Sequence, residues 1–246
     1  MLTGKQKLYT FGCSFTYGHG FPDCEDLTPD SSPSKYAWPT LLAESLDLPY
    51  ENLVSPGCSP MELSRRFLQN VERITENDIV VIEWPYFNRT CVFLNDTYEG
   101  MAKLMPGLDD VDPGLPYPKM NVRNFYAFYT NDIHSMQTFM LFCQLVDAEC
   151  ERRNIKVLHK IFCKQDYKQL RKARKSKDPG YGWFTVDIDT CCFDMFQGTK
   201  LKRYQRIFNK KFGNLPDGHR DQDHHILWAE SIKRKLVRKK YISECY

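Results

Sequence analysis

The chain has no stretch approaching the ~18 consecutive apolar residues of a membrane-spanning helix, so no membrane partner is expected. No two of its cysteines stand at C-x-x-C spacing, which removes the common zinc-finger patterns. It lacks a strong charge of either sign. A formal net charge of +3 argues against binding nucleic acid with the whole surface. There is no internal repeat and no composition break that marks a boundary, so a single domain over residues 1–246 is expected. Met1-Leu2-Thr3-Gly4-Lys5 leads straight into a first strand and has no signal-peptide core, so a cytoplasmic location is expected.

What the chain does have is core material. Of its 246 residues, 42% are hydrophobic and 14% aromatic, enough to exclude a disordered chain. Ten cysteines, at 13, 24, 58, 91, 143, 150, 163, 191, 192 and 245, read as reduced thiols used as small core residues. No pattern calls for a cofactor.

Strands and helices alternate along the chain. Apolar runs at 7–11, 50–54, 78–84 and 155–162 read as strands, with a fifth over 183–188. Helical periodicity covers 37–46, 61–74, 132–153 and 221–237. The continuous run Ile79-Val80-Val81-Ile82 suits a central parallel strand buried on both faces. The pattern predicts an α/β protein: a parallel sheet covered by helices on both faces. Residues 95–124 read as a long loop insertion. Residues 164–177 carry seven basic side chains against the single acid Asp166.

The candidate site begins at Gly12-Cys13-Ser14-Phe15-Thr16-Tyr17-Gly18, directly after the first strand. Gly12 is expected to supply a sharp turn through positive φ. Ser14 would then stand at the carboxyl edge of the sheet, where open α/β sheets bind ligands. Ser55-Pro56-Gly57-Cys58 is a second turn of small residues at a strand end. A serine needs a base to accept its proton. His219 is the best placed histidine, with Asp217 two residues before it on the same side of an extended segment.

In this order the residues resemble the SGNH hydrolases, the GDSL-type esterases and lipases, and within them the G-C-S-F-T-Y-G type found in environmental bacteria and phages. The resemblance runs in outline from residue 7 to about 235, carried by four short blocks. It implies a three-layer α/β/α sandwich on a parallel, flavodoxin-like sheet, with Ser14 as the nucleophile, His219 as the base and Asp217 as the orienting acid. It implies an oxyanion site of the Ser14 and Gly57 backbone N–H groups with the Asn88 amide. Trp84, Tyr86 and Phe87 are expected to line the acyl or sugar pocket, and the loops 19–35 and 95–124 to border its mouth. The departures are Cys13 in place of an aspartate, Arg220 in place of a proline, and Trp84-Pro85-Tyr86-Phe87-Asn88-Arg89 in place of a glycine-x-asparagine-aspartate turn. The implied activity is cleavage of an ester bond, such as an O-acetyl group on a carbohydrate, through an acyl-serine.

Three other readings of the same residues stand beside it. Cys13 is an alternative nucleophile. The run Asp217, His219, Asp221, Asp223, His224 and His225 is an alternative metal-binding cluster. The basic residues at 164–177 and 233–240 suit a degenerate hydrolase scaffold that binds nucleic acid or another polyanion.

Overall fold

The apolar run at 79–82 forms the middle of the molecule. A computed structural model describes residues 5–24, 32–93, 101–104, 131–176, 181–190 and 222–242. Strand β3 (Ile79–Trp84) is buried at every position. It pairs in parallel with β1 (Leu8–Phe11) on one side and β6 (Lys156–Ile161) on the other. Strand β2 (Tyr50–Asn52) adds to β1, and β7 (Ile188–Thr190) adds to β6, again in parallel. The order β2-β1-β3-β6-β7 is that of a flavodoxin-like sheet. The order reverses at β1, so the crevice at the carboxyl ends of β1 and β3 is the natural ligand position.

Alternation along β3 builds two cores. Val80, Ile82 and Trp84 face α3 (Pro60–Asn70) and α4 (Asp132–Arg152), packing with Leu63, Phe67, Phe139 and Met140. Ile79 and Val81 face α2 (Trp38–Leu46) and α6 (Gln222–Arg238), packing with Trp38, Leu42, Trp228 and Ile232. Helices thus cover both faces of the sheet, as the alternating pattern predicts. A short helix α1 (Ser14–Tyr17) follows β1. Among the described residues no helix is long and apolar enough to cross a membrane. Seven described cysteines are free and buried, as small core residues should be.

Helix starts follow local chemistry. Ser59 caps α3 by accepting the Glu62 N–H at 3.2 Å, with Pro60 at the first helical position. Asn131 caps α4 by accepting the His134 N–H at 2.8 Å.

The sequence reading needs three corrections. The helix expected over 61–74 ends at Asn70 and continues as a 3-10 turn, Val71–Arg73. The strand expected over 183–188 begins only at Ile188. Before it, the Thr185 N–H goes to the Gln144 side chain of α4 at 3.2 Å, so that backbone is satisfied without a ladder. The segment read as a loop insertion contains a strand, β5 (Met101–Leu104), paired antiparallel with β4 (Thr90–Phe93). The rest of 95–124 lies outside the described residues. The basic stretch is helix α5 (Lys164–Lys175), which buries Leu170 and Ala173 and leaves Lys168, Arg171, Lys172 and Lys175 to solvent.

Candidate active site

Ser14 opens α1 immediately beyond the end of β1 and is largely buried. Its carbonyl accepts the N–H groups of Gly18 and His19 at 3.0 and 3.1 Å. Gly12 is needed there for a reason other than the expected one. Its φ does not lie in the left-handed region. A Cβ on Gly12 would fall 1.9 Å from Thr16 Oγ1, so only glycine lets Thr16 come down onto the strand end. Gly18 is the residue with the positive φ, 82°, and it closes α1. A Cβ there would meet that of Ser34 at 2.6 Å.

Beneath the turn lies Glu83, 1% exposed within β3. Its carboxylate accepts the Thr16 hydroxyl at 2.5 Å and the Trp38 indole N–H at 3.2 Å. It thereby ties α1 and α2 to the central strand. Glu83 is a site-building residue that the sequence reading passed over, although a carboxylate inside an unbroken apolar run is itself a signal.

The second turn is laced to the first. Gly12 O accepts the Ser55 N–H at 3.2 Å and the Cys58 thiol at 3.3 Å. Cys58 N–H closes the turn onto Ser55 O at 3.1 Å. With Pro56 at its second position and Gly57 at φ 73° in its third, this is a type II turn. Lys103 from β5 reaches it, donating to Pro56 O at 2.7 Å and to Ser55 Oγ at 2.8 Å. Ser55 Oγ also donates to Glu62 Oε1 at 2.5 Å, and Lys103 Nζ stands 3.5 Å from the same oxygen. Glu62 is 2% exposed, and its second oxygen has no hydrogen-bond partner among the described residues.

The segment after β3 separates into core and rim. Trp84, expected to line a pocket, is wholly buried. Its indole donates to His159 Nδ1 at 3.1 Å and its ring meets Phe139 edge-on at 5.4 Å. The strand's two-residue period puts it with Val80 and Ile82 on the core face, away from the crevice. Phe87 is likewise packed, stacked on Phe139 at 4.1 Å. His159 is a core histidine: with Nδ1 accepting from Trp84, its Nε2 donates to Asp147 at 3.0 Å.

Tyr86 stays half-buried at the rim. Its ring meets Phe162 edge-on at 5.6 Å, and Phe162 stacks at 3.9 Å on Phe15, the neighbour of Ser14. Asn88 is exposed in the turn that follows. Arg89 places its guanidinium 5.0 Å from the Tyr86 ring centroid, and its Nη1 is buried without a hydrogen-bond partner among the described residues.

Burial pushes the Cys13 thiol up, against a smaller opposing pull from Arg89. Burial pushes Cys58 well up too. Both stay protonated near neutral pH, which disfavours Cys13 as the nucleophile. Asp217 and His219 lie outside the described residues. From the same stretch, His225 is buried in α6 and engaged: its Nδ1 accepts the Trp38 N–H at 2.9 Å, and its ring packs on Phe21 at 5.0 Å. The structure therefore ties the turns that carry Ser14 and Gly57 together through Gly12 O, links Tyr86 to the Ser14 side through Phe162 and Phe15, sets Trp84 apart in the core, and adds Glu83, Lys103 and Arg89.

Two solved structures share this architecture. One is a carbohydrate esterase whose active site is described as having divergent catalytic and non-catalytic binding functions; it aligns at 13% identity over 98% of this chain and 68% of its own, with a TM-score of 0.51. The other is the acetyl xylan esterase Est2A of the rumen bacterium Butyrivibrio proteoclasticus, at 12% identity over 98% of this chain and 66% of its own, also with a TM-score of 0.51. The chain has the SGNH hydrolase fold. It spans about two thirds of the length of these two esterases. A lipolytic protein of the G-D-S-L family from Desulfitobacterium hafniense is similar at 11% identity over 93% of this chain and 98% of its own, with a TM-score of 0.45. No protein-family model and no curated protein matches the chain. At such identities the SGNH likeness carries the fold, and the roles of individual residues rest on the chemistry of the site.

Proposed function

We propose that this chain is a single-domain serine esterase acting on short acyl esters, with O-acetylated carbohydrate as its substrate class. The observation that carries the reading is the meeting of the Ser14 and Gly57 turns at the point where strand order reverses, tied through Gly12 O. Sharing a fold with two carbohydrate esterases supports the substrate class.

Ser14 Oγ attacks the ester carbonyl carbon while His219 takes its proton, and the carbonyl π electrons move onto oxygen. The N–H groups of Ser14 and Gly57 receive that oxyanion. Each such donor is worth roughly 10²–10³ in rate. A third donor comes from the 86–89 turn. Arg89 is better suited to it than the exposed Asn88, because its Nη1 is buried without a hydrogen-bond partner among the described residues and its charge reaches Cys13. Collapse of the intermediate expels the alcohol, which takes the proton from His219, and leaves acyl-Ser14. A water deprotonated by His219 then releases the acid. Asp217 holds the second ring nitrogen of His219 throughout. Tyr86, Phe15 and Phe162 give an aromatic wall beside the serine for a sugar or acyl group.

A fluorophosphonate probe tests the reading. Labelling of the wild-type chain at Ser14, lost in Ser14→Ala, is the expected result. An unlabelled wild type whose aryl-ester turnover is abolished by a chelator would overturn it and return the 217–225 cluster to a metal site.

A further inference from the structure

The Gly57 N–H can serve an oxyanion only if the Pro56–Gly57 peptide faces the crevice. That orientation is not fixed by the two residues themselves. Type I and type II turns differ by a flip of this central peptide, and Pro at the second position suits both. Glycine in the third position accepts either φ. Something else must choose.

Lys103 makes the choice visible. Its Nζ donates to Pro56 O at 2.7 Å, so the carbonyl is held on the side of the β4–β5 hairpin. The peptide is trans, as are all the described peptide bonds, so the Gly57 N–H points the opposite way, off the hairpin. The ammonium is fixed in turn by Ser55 Oγ at 2.8 Å and by Glu62 Oε1 at 3.5 Å. Glu62 is buried in the first turn of α3, with Arg66 at 3.8 Å as a second cation. The lysine lies 47 residues beyond Pro56 in sequence, so nothing local to the turn demands it.

We propose that Lys103 is a positioning residue: it holds the Pro56–Gly57 peptide in the orientation that aims the Gly57 N–H at the oxyanion formed on Ser14. The proposal rests on the serine-esterase reading above. It makes the hairpin a working part of the site.

The test is steady-state kinetics on an aryl acetate, with affinity for a boronic acid that forms a tetrahedral adduct on Ser14. Lys103→Met should lower kcat by roughly 10²-fold, about the worth of one oxyanion donor, and leave KM within a few-fold. Boronate affinity should fall in parallel with kcat. Lys103→Arg, which can still donate to Pro56 O, should recover most of both. Removing the cation strands a buried carboxylate. The double variant Glu62→Gln/Lys103→Met removes that strain and should keep the low kcat with a wild-type circular dichroism spectrum. Unchanged kcat in a folded Lys103→Met or in the double variant overturns the proposal, as does a loss confined to KM. A wild-type chain that takes no fluorophosphonate at Ser14 sinks the esterase reading and this proposal with it. A labelled wild type with full-speed variants sinks this proposal alone.

Discussion

Glu83 and Glu62 are both buried carboxylates, one behind each turn of the site, yet they are held by different means. Glu83 sits on the central strand and receives hydrogen bonds from Thr16 and Trp38, residues of the same chain end it supports. Glu62 sits at the start of α3 and draws on Lys103, which arrives from the distant hairpin. The serine turn is therefore built from the inside: a glycine too crowded for a Cβ, a threonine pressed onto it, and a carboxylate fixed in the sheet. The glycine turn is built from the outside, by a lysine that must be delivered. The first arrangement should tolerate little change. The second should be tunable.

The largest effect tests the chemistry that joins the two turns. Ser14→Ala and His219→Ala should each lower aryl-ester turnover by roughly 10³-fold or more, and the double variant should be little worse than either, because members of one catalytic unit act non-additively. Additive losses in the double variant would separate the two residues.

Next comes the rigidity of the serine turn. Gly12→Ala forces a Cβ to within 1.9 Å of Thr16 Oγ1. Overpacking of this kind costs about 1–3 kcal/mol, and this contact is short enough to expect the upper end. Thr16→Gly removes the clashing atoms but also takes the hydroxyl donor from the buried Glu83 carboxylate, so the double variant should remain less stable than wild type. An alanine at 12 with wild-type stability would show that the turn has slack the contact distance denies.

The rim after β3 gives an intermediate effect. Arg89→Met should lower kcat by roughly 10²-fold if its guanidinium is the third oxyanion donor, while Asn88→Ala should change it by only a few-fold. The reverse order would return the role to Asn88, where the family resemblance puts it.

Much of this was legible in advance, and the failures have physical reasons. A parallel sheet covered by helices on both faces followed from apolar runs and the alternation of strand and helix, and its flavodoxin-like order came with the family resemblance. Ser14 and Gly57 were legible as small residues at strand ends. Trp84 was misread because its neighbours in sequence were weighed and its parity was not: position 84 shares a face with Val80 and Ile82. Gly12 was correctly singled out but for its φ, since close approach of a side chain four residues on leaves no mark in composition. Lys103 was hidden in a stretch rich in Pro, Gly and Asp, and its role depends on a tertiary contact that periodicity cannot carry. Glu83 could have been found, since a carboxylate in a doubly buried strand must have partners.

The smallest effect concerns Asp166, which connects the segment after β3 to α5. Its carboxylate accepts the Phe87 N–H at 3.0 Å. Burial nevertheless holds its pKa above the ordinary aspartate value, with the nearby Asp132 adding to the shift. Its place in the first turn of α5 pulls the other way, because a helix start favours negative charge. The raised pKa means that burial prevails, so the ionised form is the less favourable one in the folded chain. The stabilising contribution of the neutral carboxyl is complete below the unfolded-state pKa, near 3.9, and is lost as pH rises through the higher folded-state value. Asp166→Asn keeps an acceptor for the Phe87 N–H and removes the charge. It should gain about 0.5 kcal/mol at pH 7, a size typical of a change that breaks no packing, and the gain should vanish near pH 3, where the carboxyl is neutral in both states. Denaturant unfolding of the two proteins at the two pH values measures it. An Asp166→Asn variant that is less stable at pH 7 would show that the charged hydrogen bond to Phe87 outweighs the burial of the carboxylate.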